Sequence, residues 1–431
     1  MARMFQSLRR VLGLTPASPV PRYVGSIDTN FTYFREGDRA VIHGKTPVLT
    51  KPLRKGGKTD LRRGQLEHDK IIGSRVRDLV QARKGGEHRL SLPSLEDYVA
   101  LTPRLVTPIY SADANLIVSL LDIHITPPAE QTGQPPTVEI LESGTGHGSL
   151  TLHLARAIQG ANSTPPPIPT SSQVTYLPTK PGDEATRKLP TTTTTTTDDP
   201  IQQNWDAWRS HRNAIIHSVD ITPKSAVHAE GVVRGFRRGI YAGNVDFSAG
   251  HVEDWIAEQK RQRTSKGLLP FTKNEVEPFL SYAILDMPSA HTRIPHVTSI
   301  LKRDGLLAVF MPSVTQIGDC VDLIRKHKLP LAQDKVVELG NGISSGRLWD
   351  IRHAVRRARD NVSVAASEGA EDGADVVEGE SADEGAAIAP VSPEETPKED
   401  DSVLVCRPKV GSRIVGGGFV GIWRKIEDRR S

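Results

Sequence analysis

The passage Val138-Glu-Ile-Leu141, then Glu142-Ser-Gly144-Thr-Gly146-His-Gly148, then a helical run from Leu150 to Ile158 constrains this chain more than any other. A short apolar strand that opens into three alternating glycines lets backbone approach a ligand closely, and the helix beyond presents unpaired amides. The spacing is not the dinucleotide pattern, which sets its third glycine three residues after the second. A tight packing turn is the competing reading. The surrounding strands and acids decide between the two.

Strands and helices alternate around that turn. Ala114, Ile117, Val118 and Leu121 recur at the helical period, and Ala214–Val219 reads as a second strand followed by a helix through Val232. Further strands are expected at 244–247, 282–285 and 305–310, and 402–406 and 418–423 read as closing strands of the same sheet. The pattern predicts an α/β fold, a parallel sheet with helices on both faces. Asp220 ends the second strand 72 residues beyond Gly148, or 27 once a 45-residue insert is removed. That approaches the roughly 20-residue spacing at which an acid meets a nucleoside ribose. A helix N-cap before Pro223 is the alternative for Asp220. Asp286, in Leu285-Asp-Met-Pro288, ends the fourth strand and is placed to face the ligand crevice of such a sheet.

Two segments interrupt the alternation. Residues 160–204 hold seven consecutive threonines, Thr191 to Thr197, and Pro165-Pro-Pro167, so a disordered surface excursion is expected. Residues 360–401 are the second insert: from Arg359 to Asp400 there are 13 acidic and 2 basic residues. The net charge of +4 therefore hides a body of +15. A basic body suits a nucleic-acid partner, with plain solvated surface as the bland reading. Residues 31–90 read as a small β domain, with strands at 39–42 and 47–50 and a turn between them at Gly56-Gly57. Seven Lys or Arg between Lys45 and Arg63, against Asp60 alone, give it a basic face. Lys55, Lys58 and Arg62 are its expected phosphate contacts. Arg352, Arg356, Arg357 and Arg359 fall on one expected helix and either track phosphates or form a solvated face.

Residues 1–24 carry Arg3, Arg9, Arg10 and Arg22 and no acid, the composition of a mitochondrial transit peptide; plain disorder and a nuclear protein are the alternatives. Two cysteines, Cys320 and Cys406, exclude a disulfide scaffold and a four-thiolate zinc site, so the chain reads as intracellular. His68-Asp69 lacks a third ligand at useful spacing, and no metal is expected. No run of about 18 apolar residues exists, which excludes a transmembrane helix.

With these residues in view the chain resembles a known family. A carboxylate two residues before the first glycine, here Glu142, is the layout of class I S-adenosylmethionine-dependent methyltransferases. The ordered motifs Leu95-Glu-Asp-Tyr98, Thr107-Pro-Ile-Tyr-Ser111, Glu142 to Ser149 and Leu285 to Pro288 resemble the tRNA (adenine-N1)-methyltransferases that act on T-loop adenine 58. Phe34-Arg-Glu-Gly-Asp38 and His68 to Gly73 resemble that family's N-terminal β domain, and Met311 to Gln316 its loop after strand five. The likeness covers 31–158, 205–350 and 402–426.

The resemblance implies a Rossmann-like methyltransferase domain over 95–426, preceded by the small β domain, with S-adenosyl-L-methionine as cofactor and tRNA as substrate. Ile109, Glu142, Gly144, Thr145, Gly146, His147, Gly148, Ser149, Asp220, His251, Val252 and Asp286 are then cofactor residues. Asp286 and Tyr110 are catalytic, and Thr107 and Tyr110 join the tRNA contacts. A tetramer follows too, of one chain or paired with a non-catalytic paralogous subunit. Three departures stand out. His251-Val252 replaces the family's Asp-Val, so Glu253 or Asp254 is a candidate for holding the cofactor adenine. Ala290-His291 replaces a proline, and Val415 to Phe419 lacks a histidine. The alternative function is a non-catalytic tRNA-binding subunit, which would be expected to lose the glycines and Asp286; both are present. A protein carboxyl methyltransferase would share the glycine turn but leave the basic domain unexplained.

Overall fold

The computed structural model describes residues 26–44, 46–128, 137–177, 199–265, 276–340, 349–355, 402–408 and 417–426. Residues 1–24, the threonine run and 360–401 lie outside them. Two units are distinguished, residues 1–345 with 414–431, and residues 346–413.

The first unit opens with short antiparallel strands: β1 (Val41–Ile42), β2 (Val48–Leu49), β3 (Lys58–Asp60), β4 (Gln65–Glu67), β5 (Leu79–Gln81) and β6 (Glu87–Ser91). One sheet has the order β2-β1-β6-β5, and β3 pairs with β4. Phe34, Leu53, Leu66, Ile71 and Leu90 form their shared core. Gly56-Gly57 does not join the first two strands as expected; it leads into β3, where Gly57 N donates to Arg54 O. His68 bridges Thr59 Oγ1 at 2.9 Å and Arg54 N at 3.2 Å, which makes it a loop fastener.

An arginine ties this domain to the larger one. Arg238 Nε and Nη2 each donate to Asp38 at 2.7 Å, and Nη1 donates to Asp28 at 2.9 Å. Asp38 is almost fully buried. Removing one partner of such a pair strands a charge in low dielectric, so Arg238→Ala is expected to destabilise the protein by about 3–5 kcal/mol. Urea unfolding checks this, and a loss below about 1 kcal/mol would mean that Asp38 is rehydrated instead.

Helix α1 (Leu95–Leu101) starts at a capping box, Ser94 Oγ accepting from Asp97 N, and buries Tyr98, whose hydroxyl donates to Val232 O at 2.8 Å. The elements that follow are α2 (Ser111–Leu121), β7 (Val138–Ser143), α3 (Ser149–Ile158), β8 (Thr175–Tyr176), α4 (Pro200–Arg209), β9 (Ala214–Asp220), α5 (Pro223–Gly235), β10 (Val245–Ala249) and α6 (Val252–Ser265). They continue with β11 (Leu280–Leu285), α7 (Ile294–Thr298), β12 (Leu301–Met311), α8 (Val314–Lys326), β13 (Leu331–Leu339), β14 (Trp349–Val355), β15 (Ser402–Pro408) and β16 (Gly418–Lys425). The main sheet has the order β13-β16-β12-β11-β7-β9-β10-β8. Six strands run parallel from β12 to β8, and β16 is antiparallel to both neighbours. After β10 the chain crosses β7 to lay down β11, so strand order reverses between β7 and β11. Ligands of such sheets bind at that switch point.

Three expectations are corrected. Residues 402–406 do not join the main sheet: β15 pairs with β14, in the second unit, from Trp349↔Pro408 to Val355↔Ser402. Arg352 lies on β14 rather than on a helix, while Arg356, Arg357 and Arg359 fall outside the described residues. The excursion is narrower than 160–204. Arg234 donates to Pro169 O and Ser171 O, Gln173 N donates to Glu230, Trp205 and Trp208 of α4 are buried, and β8 extends the sheet. A proline- and serine-rich segment packs here because its backbone carbonyls and amides are met by charged side chains of α5.

Candidate cofactor and substrate site

A cavity of 520 Å³ opens at the carboxyl ends of β7, β9, β10 and β11. The chain leaves β7 through a loop in which every second residue is glycine. Gly144, Gly146 and Gly148 all have positive φ, 95°, 52° and 83°. A Cβ on Gly144 would lie 1.8 Å from the Asp286 carbonyl oxygen, since Asp286 N donates to Ser143 O at 2.8 Å just there. On Gly148 it would meet Ala229 at 3.2 Å. Gly148 is also the N-cap of α3.

Three carboxyl groups line the cavity. Glu142, buried, accepts from Thr151 Oγ1 at 2.6 Å and Ser218 Oγ at 2.8 Å, both on Oε2. Burial pushes it up to about 7 against those bonds, and Asp286 and Asp220 add to the push. Asp220 accepts from Gly146 N at 3.1 Å and Thr222 N at 2.8 Å, so it locks the end of β9 to the glycine loop. The N-cap of α5 is Thr222, which displaces the capping reading of Asp220. Asp286 is pushed up to about 7, by burial first and then by the charge of Asp220. A cationic ligand would offset the shifts of Glu142 and Asp286, favouring their ionised forms.

Thr145, His147, Ser149, His251, Val252, Ile109 and Thr107 also line the wall. Thr145 Oγ1 pairs with Ser218 Oγ at 2.7 Å, and Ser149 Oγ donates to Ile109 O at 2.5 Å. His147 is buried with both ring nitrogens unpartnered, edge-on to His228 at 5.8 Å. Burial, helped by His228 and Arg104, pushes it down to about 4, so it is neutral at pH 7.

Other expected residues stand elsewhere. Tyr110 is beside the wall rather than in it; its hydroxyl accepts from Arg104 Nη1 at 2.9 Å, and the guanidinium lies 5.6 Å from its ring centroid. Lys55, Lys58 and Arg62 are exposed on the small β domain. Neither Glu253 nor Asp254 lines the cavity, and Glu253 Oε1 is engaged with Arg293 Nε at 2.9 Å. Arg293 does line it, as does Val106. No motif marked either residue; both reach the wall through packing of distant segments. Among the described residues no cluster of His, Cys, Asp or Glu could hold a metal, and no helix is long and apolar enough to cross a membrane.

No family model matches the chain. A tRNA (adenine(58)-N(1))-methyltransferase TrmI of Thermus thermophilus is 23% identical over 306 residues, 71% of this chain and 84% of that protein. The tRNA (adenine(58)-N(1))-methyltransferase catalytic subunit TRM61 of Candida albicans is 27% identical over 128 residues, 29% of this chain and 35% of that one. A SAM-dependent O-methyltransferase of Thermotoga maritima superposes with a TM-score of 0.52 at 13% identity, covering 95% of this chain and 100% of that structure. The fold is thus that of the class I S-adenosylmethionine-dependent methyltransferases with a small β domain in front, on a chain similar over most of its length to the tRNA (adenine(58)-N(1))-methyltransferases.

Proposed function

We propose that this chain transfers a methyl group from S-adenosyl-L-methionine to N1 of adenine 58 in the T-loop of tRNA. One observation carries the reading: the three-glycine loop, the acid ending β9 and the half-buried acid after β11 meet in a single cavity at the switch point. The likeness to relatives named for that reaction, over 71% of this chain, supports the substrate.

The residues present fit the cofactor. His147, in the cavity wall, offers two unpartnered ring nitrogens. Glu142 suits the ammonium, Asp220 the ribose hydroxyls, and Gly250 to Val252 the adenine end. When bound, the cofactor supplies an electrophilic methyl group on a sulfonium.

The chain's own groups do the rest. N1 lies on the Watson–Crick edge, so the base must leave its stack to enter the site. Asp286, ionised, accepts a hydrogen bond from the exocyclic amine next to N1. That bond raises electron density at N1 and strengthens as the ring becomes cationic. Tyr110, held by Arg104, stands beside the cavity as a wall for the incoming base. Incubating the purified chain with unmodified tRNA and cofactor should give N1-methyladenosine at position 58 by nucleoside mass analysis. A folded, cofactor-binding protein that yields none, both alone and together with a paralogous subunit, would return the chain to the non-catalytic subunit reading.

The β domain at 31–90 is the tRNA-holding part in this proposal. Changing Lys55, Lys58 and Arg62 to Ala together should weaken tRNA binding and lower the salt slope by up to about 3, one for each lost phosphate contact. Single-turnover chemistry at saturating tRNA should be preserved. Fluorescence anisotropy across a salt series reads this, and an unchanged slope would move the RNA to another face. A tetramer, of this chain or with a paralogous subunit, and a mitochondrial address encoded in residues 1–24 complete the proposal. A fluorescent protein fused behind that segment should enter mitochondria, whereas purely nuclear signal rejects the address.

A further inference from the structure

Residues 163–177 end as β8, at the edge of the sheet and behind the cavity. Thr175 and Tyr176 pair with Ser248 and Ala249 of β10, and Leu177 N donates to Ala249 O at 2.9 Å. Gly250 N then donates to Asp220 O at 2.9 Å, so β8, β10 and β9 are fastened together at the level where the cavity wall begins. Leu177 is only 3% exposed and packs in the cluster that holds Val219, Val252 and Trp255. Gly250 has φ of 149°, and a Cβ there would lie 2.8 Å from Leu177 Cβ. Leu177 therefore presses directly on the backbone that continues into His251 and Val252, both of the cavity wall.

A glycine at a strand end has wide conformational freedom, and a wall built on it keeps its shape only if something backs it. We propose that Leu177 is a positioning residue: it sets Gly250–Val252 against the adenine end of the cofactor, so that a strand contributed by the inserted segment governs cofactor affinity. The inference rests on reading the cavity as the S-adenosylmethionine site.

The test compares two truncations in one segment. Ile168 packs beside Gly239 in the other apolar cluster and serves as the control. Leu177→Ala should weaken S-adenosylmethionine binding about tenfold by calorimetry and raise its KM by a similar factor, with kcat at saturating cofactor little changed. Ile168→Ala should lower the melting temperature and leave cofactor affinity as in wild type. Measurements belong at a temperature where circular dichroism shows both variants folded; if Leu177→Ala is too unstable, Leu177→Val should show the same direction of effect. Wild-type affinity in the Leu177 variant, or equal losses in both variants, overturns the proposal and makes β8 simple edge packing. A wild-type protein that takes up no S-adenosylmethionine overturns the cofactor reading itself. Normal uptake with no methylated tRNA overturns only the proposed reaction, and the calorimetric comparison stands.

Discussion

Gly144→Ala is expected to lower affinity for S-adenosylmethionine by about 100-fold or more while the protein still folds. Its backbone sits at φ 95°, where an L side chain is strained by about 1–3 kcal/mol. The heavier cost is the clash with the Asp286 carbonyl, 1.8 Å from the new Cβ. That atom is backbone and cannot rotate away. The ends of β7 and β11 must part, breaking the bond from Asp286 N to Ser143 O, or the glycine loop must move by about an ångström. Either shift carries Glu142, Gly146 and Asp286 out of register with a bound ligand. The sheet core lies below this point, so circular dichroism should remain native, with stability reduced by about 2–4 kcal/mol. Calorimetry that finds wild-type affinity in the folded variant removes the loop from the cofactor site. Gly146→Val should fail similarly, since φ is 52° and Val106 already stands 3.3 Å from a Cβ there.

Asp286→Ala should lower turnover about 10- to 150-fold, the loss of one charged hydrogen bond worth about 1.5–3 kcal/mol. Affinity for tRNA should barely move, because phosphate contacts dominate it. The pH profile separates this role from a structural one. Burial and the neighbouring Asp220 raise Asp286 to about 7, so its carboxyl is protonated below neutrality and ionised above. Only the ionised form is a pure acceptor for the adenine amine. The wild-type kcat/KM for S-adenosylmethionine, which reports the cofactor-free enzyme, should therefore rise with pH and level off above about 7, a macroscopic value shared with Glu142, which is raised to the same range. In Asp286→Asn the rate should be low and its rise through that range reduced to what Glu142 contributes. Full turnover in folded Asp286→Ala would leave Asp286 as a turn residue.

Much of this site was legible in the residues themselves. The glycine turn, the strand before it and the helix after it are local: three positive-φ positions suit glycine, and Val138, Ile140 and Leu141 give β7 its apolar residues. Asp220 and Asp286 could be placed because each ends a strand, and strand ends in a parallel sheet share one edge. Asp220 lines the cavity although the insert set aside in counting its spacing proved partly packed, because residues 160–204 fall between α3 and β9 and the β7–β9 register is continuous.

Tertiary structure decided what depends on distant partners. Residues 163–177 look unstructured because their own side chains are poor core formers; Glu230 and Arg234 of α5 satisfy them from more than fifty residues away. Arg293 reaches the cavity wall while Glu253 is drawn to it and away from the adenine role expected of it, an ion pair that no local pattern encodes. Ser402–Pro408 holds the short apolar run of a sheet strand, Val403 to Cys406, yet pairing is chosen by whichever edge is available, and β14 supplied it. Sequence by itself determined the local conformations, where neighbours along the chain set φ, hydrogen bonding and periodicity. The fold alone decided which remote side chains meet, because a buried charge or an open strand edge is settled by its three-dimensional neighbours.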